Sequence, residues 1–541
     1  MSDSITVDDD AAFKAPVQAK RFDWSPQQLA IFDAMDNGTG DIQIDAVAGS
    51  GKTSTLEGCC KRVPAGATAI YCAFNNHIVK ASAKRFEPAE CKTIHSIGLS
   101  TLARHFDKQP VVDGNKYRNL VRKESWRLAD TMPTVSRTDL VSALGDLVDY
   151  SRSTLAIKCK AMSGTLTDAI TALSSLVSHF GLTLPCPVEQ IAPNVIAVLS
   201  SGIQQAKEDH VIDFGDMLWL PWVWGLQPRT YDWVFVDECQ DLNRAQLEMV
   251  LKLRMQPMVN EQGPLIYGRM IFVGDPRQAI YGFSGADAAS YANIKERTDA
   301  TEFPLSVSYR CPVLVVREAQ VIVPGIQPRP NAPLGTVRWI SENELYANVK
   351  EGDLLLCRMT APLIATCLDL IRQKVPARVR GKDIGKMLVK TVQIVSERHG
   401  FTLEQFPKHL FDHQAEQVAK LRKRDDQESA IERIYDLVSA LVACFDGMAV
   451  QSDGVSYGLG DFKEDIQALF SDDRPGVWLS TVHKAKGLEA ERVFILRPDK
   501  LPLVWRGQQA WEMEQEKNLL YVAITRALDE LVYVRQAGEA L

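Results

Sequence analysis

Asp41-Ile-Gln-Ile-Asp-Ala-Val-Ala-Gly-Ser-Gly-Lys-Thr-Ser-Thr55 runs a short apolar strand straight into a glycine-rich turn that ends in Lys52-Thr53. Such a turn points backbone N–H groups at phosphate oxygens, and the helix that follows adds the positive end of its dipole. Lys52 supplies a point charge for the β- and γ-phosphates, and the Thr53 hydroxyl is placed to ligate Mg²⁺. The strict G-x-x-x-x-G-K-[ST] pattern is broken at its first position, where Ala46 replaces glycine. The reading is a phosphate cradle at the start of a helix in an α/β core.

Working outward, the 541 residues suffice for roughly three or four domain-sized units, and 46% hydrophobic residues can fill several cores. Sixty-one basic against 68 acidic residues give a net charge of −7, so a nucleic-acid site must be local rather than written in the overall charge. Eleven cysteines without a C-x-x-C pair argue against a zinc site or a disulfide frame and for reduced thiols, as in the cytoplasm. No apolar run reaches the length of a membrane span, and the opening segment lacks the layout of a signal peptide.

Strand-like runs at 42–47, 69–74, 233–236 and 270–273 alternate with helical stretches, and a second α/β unit begins near Leu305 with strands at 336–340, 353–357 and 477–480. Between them the period changes to helical. Leu140, Leu144, Leu147 and Val148 share one face, as do Leu173, Leu176, Val177 and Phe180. Ile431, Ile434, Leu437, Val438, Leu441, Val442 and Phe445 do the same later in the chain. The expected organisation is a disordered tail at 1–20, a first core at 21–100 and 208–304 with a helical insertion at 101–207, and a second core at 305–385 and 472–541 with a smaller helical insertion at 386–471.

Two further stretches carry chemistry. Val234-Phe-Val-Asp-Glu-Cys-Gln-Asp241 sets Asp237 and Glu238 at the carboxyl end of a strand, where α/β sheets bind ligands. Asp237 suits a Mg²⁺ ion through its water shell, and Glu238 suits orienting or deprotonating an attacking water. Phe272-Val-Gly-Asp-Pro-Arg-Gln-Ala-Ile-Tyr-Gly-Phe-Ser-Gly-Ala-Asp287 offers Gln278 to a γ-phosphate, with Tyr281 and Phe283 as flat faces for bases or as core aromatics.

The ordered set of motifs resembles superfamily 1 DNA helicases of the UvrD/Rep/PcrA type, most like their F-box-helicase-like and phage-encoded branch. That resemblance implies two RecA-like P-loop cores, with ATP and Mg²⁺ as cofactors. Phe22-Asp-Trp-Ser-Pro-Gln-Gln28 is similar to an adenine-reading motif, implying that Gln28 contacts the base. Ala46, Val47, Ala48, Gly49, Ser50, Gly51, Lys52, Thr53 and Ser54 form the phosphate turn. Ala73-Phe-Asn-Asn-His77 and Thr93-Ile-His-Ser96 resemble DNA-contacting segments, implying roles for Phe74, Asn75, Thr93 and His95. Ile212-Asp-Phe-Gly-Asp-Met-Leu218 resembles the return from the first insertion. Ser308-Tyr-Arg310 implies that Tyr309 stacks on adenine and Arg310 reaches the γ-phosphate. Thr481-Val-His-Lys-Ala-Lys-Gly-Leu-Glu489 implies ATP contacts at Gly487 and Glu489 and a DNA contact at His483, while Leu520-Tyr-Val-Ala-Ile-Thr-Arg-Ala527 carries Arg526 as a second finger.

The implied activity is an ATP-dependent 3′-to-5′ helicase or single-strand translocase acting on single strands and single/double-strand junctions, with replication or repair proteins as partners. A histidine in such motifs also suits a purely structural role. Departures stand at Val47 and Ser54, where relatives often carry glycine and arginine, and at Ser284, where they carry the arginine of a DNA-phosphate contact. The basic stretches 378–390 and 420–424 read as duplex-phosphate contacts or as solvated faces. Competing readings are a helicase subunit of a helicase–nuclease, disfavoured by the short stretch after Arg526; a binding scaffold without turnover; and an ATPase acting on protein.

Overall fold

The computed structural model describes residues 24–73, 76–157, 165–256, 268–280, 290–421, 428–448, 457–470, 476–506 and 508–536. The chain divides into two compact units, one of residues 24–47 and 51–305, the other of 306–541 joined by Ala48–Ser50.

In the first unit, six strands lie in the order β3-β2-β4-β5-β1-β6: β1 Ile42–Ala46, β2 Ala69–Ala73, β3 Glu90–Thr93, β4 Trp233–Val236, β5 Arg269–Gly274 and β6 Thr301–Leu305. All neighbours run parallel. A parallel sheet is covered on both faces, which is why the central strands read as unbroken apolar runs. Val234, Val236, Met270 and Phe272 pack on one side with the helical insertion, whereas Phe235, Ile271 and Val273 pack on the other with Ile31, Phe32 and Leu56. This is the period-2 alternation of a pleated strand.

The insertion consists of helices Lys116–Thr131, Arg137–Ser153, Leu166–Phe180 and Val188–Glu208. Leu140, Leu144, Leu147, Val148 and Leu173 are fully buried, and Val177 and Phe180 pack partly exposed at the margin. A buried ionic clasp ties these helices to the segment Asp213–Asp216. Lys116 Nζ meets Asp216 Oδ2 at 2.5 Å and donates to the Gly202 carbonyl at 2.8 Å. Tyr117 Oη donates to Asp216 Oδ1 at 3.0 Å. Arg152 Nη1 donates to Asp213 Oδ1 at 2.8 Å, its guanidinium lying 3.6 Å from the Tyr117 ring centre.

The second unit repeats the plan. Strands β7 Thr336–Ser341, β8 Leu354–Cys357, β9 Ala377–Val379, β10 Val477–Thr481, β11 Ala490–Leu496 and β12 Ala527–Arg535 lie in the order β7-β12-β11-β8-β10-β9, again all parallel. Its helices Lys382–Ser396, Phe406–Leu421, Glu428–Met448 and Leu459–Leu469 bury Phe406, Leu441, Cys444 and Phe462. Arg378, first in one of the basic stretches, is buried on β9 with its guanidinium 5.5 Å from the Trp478 ring centre, so that position is not a solvated phosphate contact. Among the described residues, no helix is long and apolar enough to cross a membrane.

Candidate nucleotide and nucleic-acid site

The strand that enters the glycine turn lies between β5 and β6, and β4 lies beyond β5. Carboxyl ends of adjacent parallel strands therefore collect the loops that carry Lys52, Asp237 and Gln278, as expected of an α/β ligand site. Gly51 adopts φ +83°, a left-handed backbone open to glycine, and starts the helix Lys52–Cys60 with no side-chain cap. The first N–H groups of that helix are thus left for a ligand. Ser50 is buried, and its hydroxyl has no hydrogen-bond partner among the described residues. A buried orphan hydroxyl is costly unless something supplies a partner, and a phosphate oxygen fits that role. Ala46, Val47 and Ala48 are buried, while Thr53 and Ser54 are partly accessible.

Ala48–Ser50 pack with the second unit. The Ala48 N–H donates to Tyr521 Oη at 2.9 Å, and the Tyr309 N–H donates to the Gly49 carbonyl at 2.8 Å. Gly49 has φ +72°, and a β-carbon there would stand 2.4 Å from that of Arg310.

Asp237 accepts from the buried Tyr71 hydroxyl at 2.9 Å and from the Glu238 N–H at 2.9 Å. Burial, then the neighbouring Glu238 charge, pushes its pKa up to about 6, against the pull of the Tyr71 hydroxyl and of Lys52. A cation beside it reverses that balance, which is the behaviour of a metal-ligand carboxylate. Glu238 sits at φ +49°, a conformation that costs a non-glycine residue about 1–3 kcal/mol and persists only where its surroundings enforce it. Thr53 and Asp237 carry oxygen donors of the kind that suit a hard divalent cation with bound phosphate.

The residue that holds the Glu238 carboxylate is Gln240, which no motif singles out. Its amide nitrogen donates to Glu238 Oε2 at 2.6 Å and, longer, to Asp241 Oδ2 at 3.3 Å. Its amide oxygen accepts the Asp275 N–H at 3.0 Å. Asp275 in turn accepts from Gln278 Nε2 at 2.6 Å, so Glu238 and Gln278 are joined through one buried chain. Arg277 pairs with Asp45 at 2.7 Å and Asp275 at 2.9 Å, fixing the ends of two neighbouring strands.

Gln28 is buried as the capping-box residue of helix Pro26–Asn37, its amide oxygen accepting the Ser25 N–H at 3.0 Å and its nitrogen donating to Thr55 Oγ1 at 2.9 Å. An amide has two donors and two lone pairs, so one of each can still serve a base edge. In the second unit, Tyr309 is 40% exposed. Arg310 Nε pairs with Glu489 at 2.8 Å. Arg526 is buried, donating to the Val522 carbonyl at 2.9 Å, the Leu488 carbonyl at 3.2 Å and Thr525 Oγ1 at 3.1 Å. Burial and then the like charge of Arg310 lower its pKa to about 9, which leaves it protonated near neutrality. Two guanidiniums that raise each other's cost of charging are relieved by an anion. Gly487 has φ +87° with open space around it.

Of the strand-binding candidates, Phe74, Asn75, Tyr281 and Phe283 lie outside the described residues. Thr93 caps helix Ile94–Phe106, its hydroxyl accepting the Ser96 N–H at 3.2 Å. His95 follows in the first turn, its pKa lowered by burial although the Asp213 charge opposes this. His483 is held neutral, with its pKa brought down to about 3 by burial and then by Arg358, Arg433 and Lys484. A further aromatic, absent from the sequence-based candidates, is Phe214, 61% exposed between the two clasped aspartates. Its signal was present in Ile212-Asp-Phe-Gly-Asp-Met-Leu218: an aromatic flanked by acids and glycine sits poorly in a core.

A family model described as the UvrD-like helicase C-terminal domain matches residues 72–536. Among relatives, F-box DNA helicase protein 1 of Schizosaccharomyces pombe is 24% identical over 328 residues, 56% of this chain and 34% of that protein. ATP-dependent DNA helicase PcrA of Staphylococcus aureus is 21% identical over 459 residues, 63% of this chain and 61% of its own length. ATP-dependent DNA helicase UvrD1 of Mycobacterium leprae is 24% identical over 187 residues, 33% of this chain and 23% of that protein. The chain thus spans about a third of the first of these relatives and less than two thirds of each. With a family match that runs through both parallel-sheet units, the chain belongs to the UvrD-like helicases of superfamily 1.

Proposed function

We propose that the chain is an ATP-dependent DNA helicase or single-strand translocase that requires Mg²⁺ and moves 3′ to 5′. The observation that carries this reading is the meeting, at the carboxyl ends of adjacent parallel strands, of an uncapped helix start and an orphaned Ser50 hydroxyl with the linked pair Glu238 and Gln278. Lys52 and the turn N–H groups hold the phosphates, and Gln28 and Tyr309 take the adenine. Thr53 and Asp237 hold Mg²⁺, which when bound neutralises phosphate charge and polarises the bond to be broken. Glu238 orients and deprotonates the attacking water, and Gln278 reports the γ-phosphate along the Gln240 chain. Arg310 and Arg526 stabilise charge that develops on the transferred group, with Glu489 releasing Arg310 and Gly487 leaving room for the phosphates. Thr93, His95, His483 and the exposed Phe214, with Phe74, Asn75, Tyr281 and Phe283, grip a single strand without sequence preference. Single/double-strand junctions are the substrate, and replication or repair proteins are the partners that load it.

The test is Mg²⁺-ATPase activity with and without single-stranded DNA, followed by strand displacement from duplexes tailed at the 3′ or the 5′ end. DNA stimulation with opening of the 3′-tailed duplex alone is the expected result, and Lys52→Ala should abolish turnover while keeping strand binding. Stimulation with opening of only the 5′-tailed duplex overturns the polarity, and absence of stimulation overturns the motor.

A further inference from the structure

On the outer edge of the first sheet, away from the glycine turn in sequence, lies a cavity of about 370 Å³ lined by Lys92, Ile97, Ser100, Thr101, Arg104, Arg229 and Tyr231. Its wall is one face of helix Ile94–Phe106, since positions 97, 100, 101 and 104 follow the i, i+3, i+4, i+7 spacing. Its other side is the edge strand Glu90–Thr93, which among the described residues pairs only with Ala69–Ala73.

The charges there do not balance. Glu90 is the carboxylate at the margin: it meets Lys92 Nζ at 2.7 Å, accepts from Tyr231 Oη at 2.7 Å and lies 3.8 Å from Arg229 Nη1. Arg229 is otherwise solvent-facing, with 64% of its side chain exposed and its guanidinium 5.2 Å from the Tyr231 ring centre. Arg104 is exposed and has no ion-pair partner among the described residues. The cavity is thus lined by three cations, of which two meet the one carboxylate at its margin, in a chain whose net charge is −7. The Ser100 and Thr101 hydroxyls donate to the carbonyls of Ser96 and Ile97, so the cations alone supply donors to a ligand. The cavity has a cationic rim over a floor of Ile97 and the Tyr231 ring, and its volume falls within the range of small-ligand sites.

We propose that this cavity binds a phosphodiester of the nucleic acid on which the protein acts, with Arg104 and Arg229 on the phosphate and Lys92 shared with Glu90. The proposal rests on the nucleic-acid reading above. Lys92 directly precedes Thr93, and the cavity wall is the helix that Thr93 caps and His95 opens, so a strand held there needs only to continue along the helix to reach the cavity. Guanidinium forks match phosphate geometry, and the sugar or base of the same nucleotide covers Ile97 and Tyr231.

The experiment compares the parent chain with Arg104→Gln/Arg229→Gln, which leaves Glu90 its contacts to Lys92 and Tyr231. Affinity for a fluorescent single-stranded oligonucleotide and for a blunt duplex is followed by anisotropy across a salt series. For every phosphate that the variant no longer neutralises, the plot of log affinity against log salt should become shallower by about 0.7 on a single strand and about 0.9 on a duplex, with several-fold weaker binding at low salt. Arg104→Lys/Arg229→Lys should restore the slope. Loss confined to the oligonucleotide identifies a single strand as the source of the phosphate, and loss confined to the duplex identifies the double-stranded arm. Unchanged affinity and slope for both probes, in a variant melting with the parent, overturn the cavity proposal and leave the helicase reading standing. A parent that binds neither probe overturns both. Should the double variant fail to fold, Lys92→Gln takes its place: a shallower slope supports the phosphodiester site, and an unchanged slope overturns it.

Discussion

Replacing Gln240 by Met keeps the volume of the side chain and removes its amide. Two bonds are then lost that matter energetically: the donation to the Glu238 carboxylate at 2.6 Å and the acceptance of the Asp275 N–H at 3.0 Å. A hydrogen bond to a charged group contributes about 1.5–3 kcal/mol, and stranding a buried N–H costs about 1–3 kcal/mol, so the variant should lose about 2.5–6 kcal/mol of stability. The larger effect is on turnover. Glu238 holds a left-handed backbone, and loss of the Gln240 bond should let the carboxylate shift by the ångström or so that costs about 100-fold in rate. Gln240→Glu separates the two bonds, because it keeps an acceptor for Asp275 but sets a like charge against Glu238. DNA-stimulated ATPase should fall by about 10- to 100-fold in both variants, while urea denaturation shows the larger stability loss in Gln240→Glu, whose buried carboxylate lies against those of Glu238 and Asp241. A Gln240→Met chain with parental kcat and a lowered denaturation midpoint would show that Gln240 holds the fold and not the carboxylate.

Other outcomes follow from the same geometry. Phe214→Ala should weaken single-strand affinity by about 1–3 kcal/mol, the worth of one stacked base, with no change in melting temperature because the ring is exposed; equal affinity by anisotropy would remove Phe214 from the strand path. Lys116→Met leaves Asp216 buried with only the more distant Arg152 cation, 3.6 Å away, and should cost about 3–5 kcal/mol in urea unfolding, a loss below about 1 kcal/mol contradicting the clasp. His483 has its folded pKa lowered to about 3, so the unfolded chain binds the proton first. Stability should therefore fall as pH drops from about 6.5 towards 3, and His483→Gln should flatten that slope. An identical pH dependence in the two chains would show that His483 does not titrate in that window.

The strands that were legible in the sequence are those buried on both faces, such as Trp233–Val236, whose apolar run has no other use. Those that were not legible are edges or short. Glu90–Thr93 is Glu-Cys-Lys-Thr, polar because one side of it faces solvent. Thr301–Leu305 contains Pro304, tolerated because among the described residues this strand pairs only with Ile42–Ala46 and one side of its ladder needs no donor. Ala377–Val379 is three residues long. In the site, residue types in motifs pointed to Lys52, Asp237, Glu238 and Gln278, since each type is tied to a reaction role. Gln240 escaped because a buried amide that bridges two loops becomes meaningful only when Asp275, 35 positions away, is seen beside it. The engaged state of Gln28 and the burial of Arg526 were hidden for the same reason: both depend on partners that the local pattern does not name.

The ionic clasp also bears on modularity. Lys116, Tyr117 and Arg152 come from the insertion, and Asp213 and Asp216 from the segment that re-enters the core, so apart from the Arg152–Asp149 pair the charges of one are neutralised by the other. An insertion exchanged with that of a relative would arrive without its counter-ions and leave two carboxylates stranded beside Phe214. A working chimera must therefore be cut outside the pair, carrying 101–216 as one cassette, and its junctions belong beyond Asp216 rather than at the end of the last inserted helix.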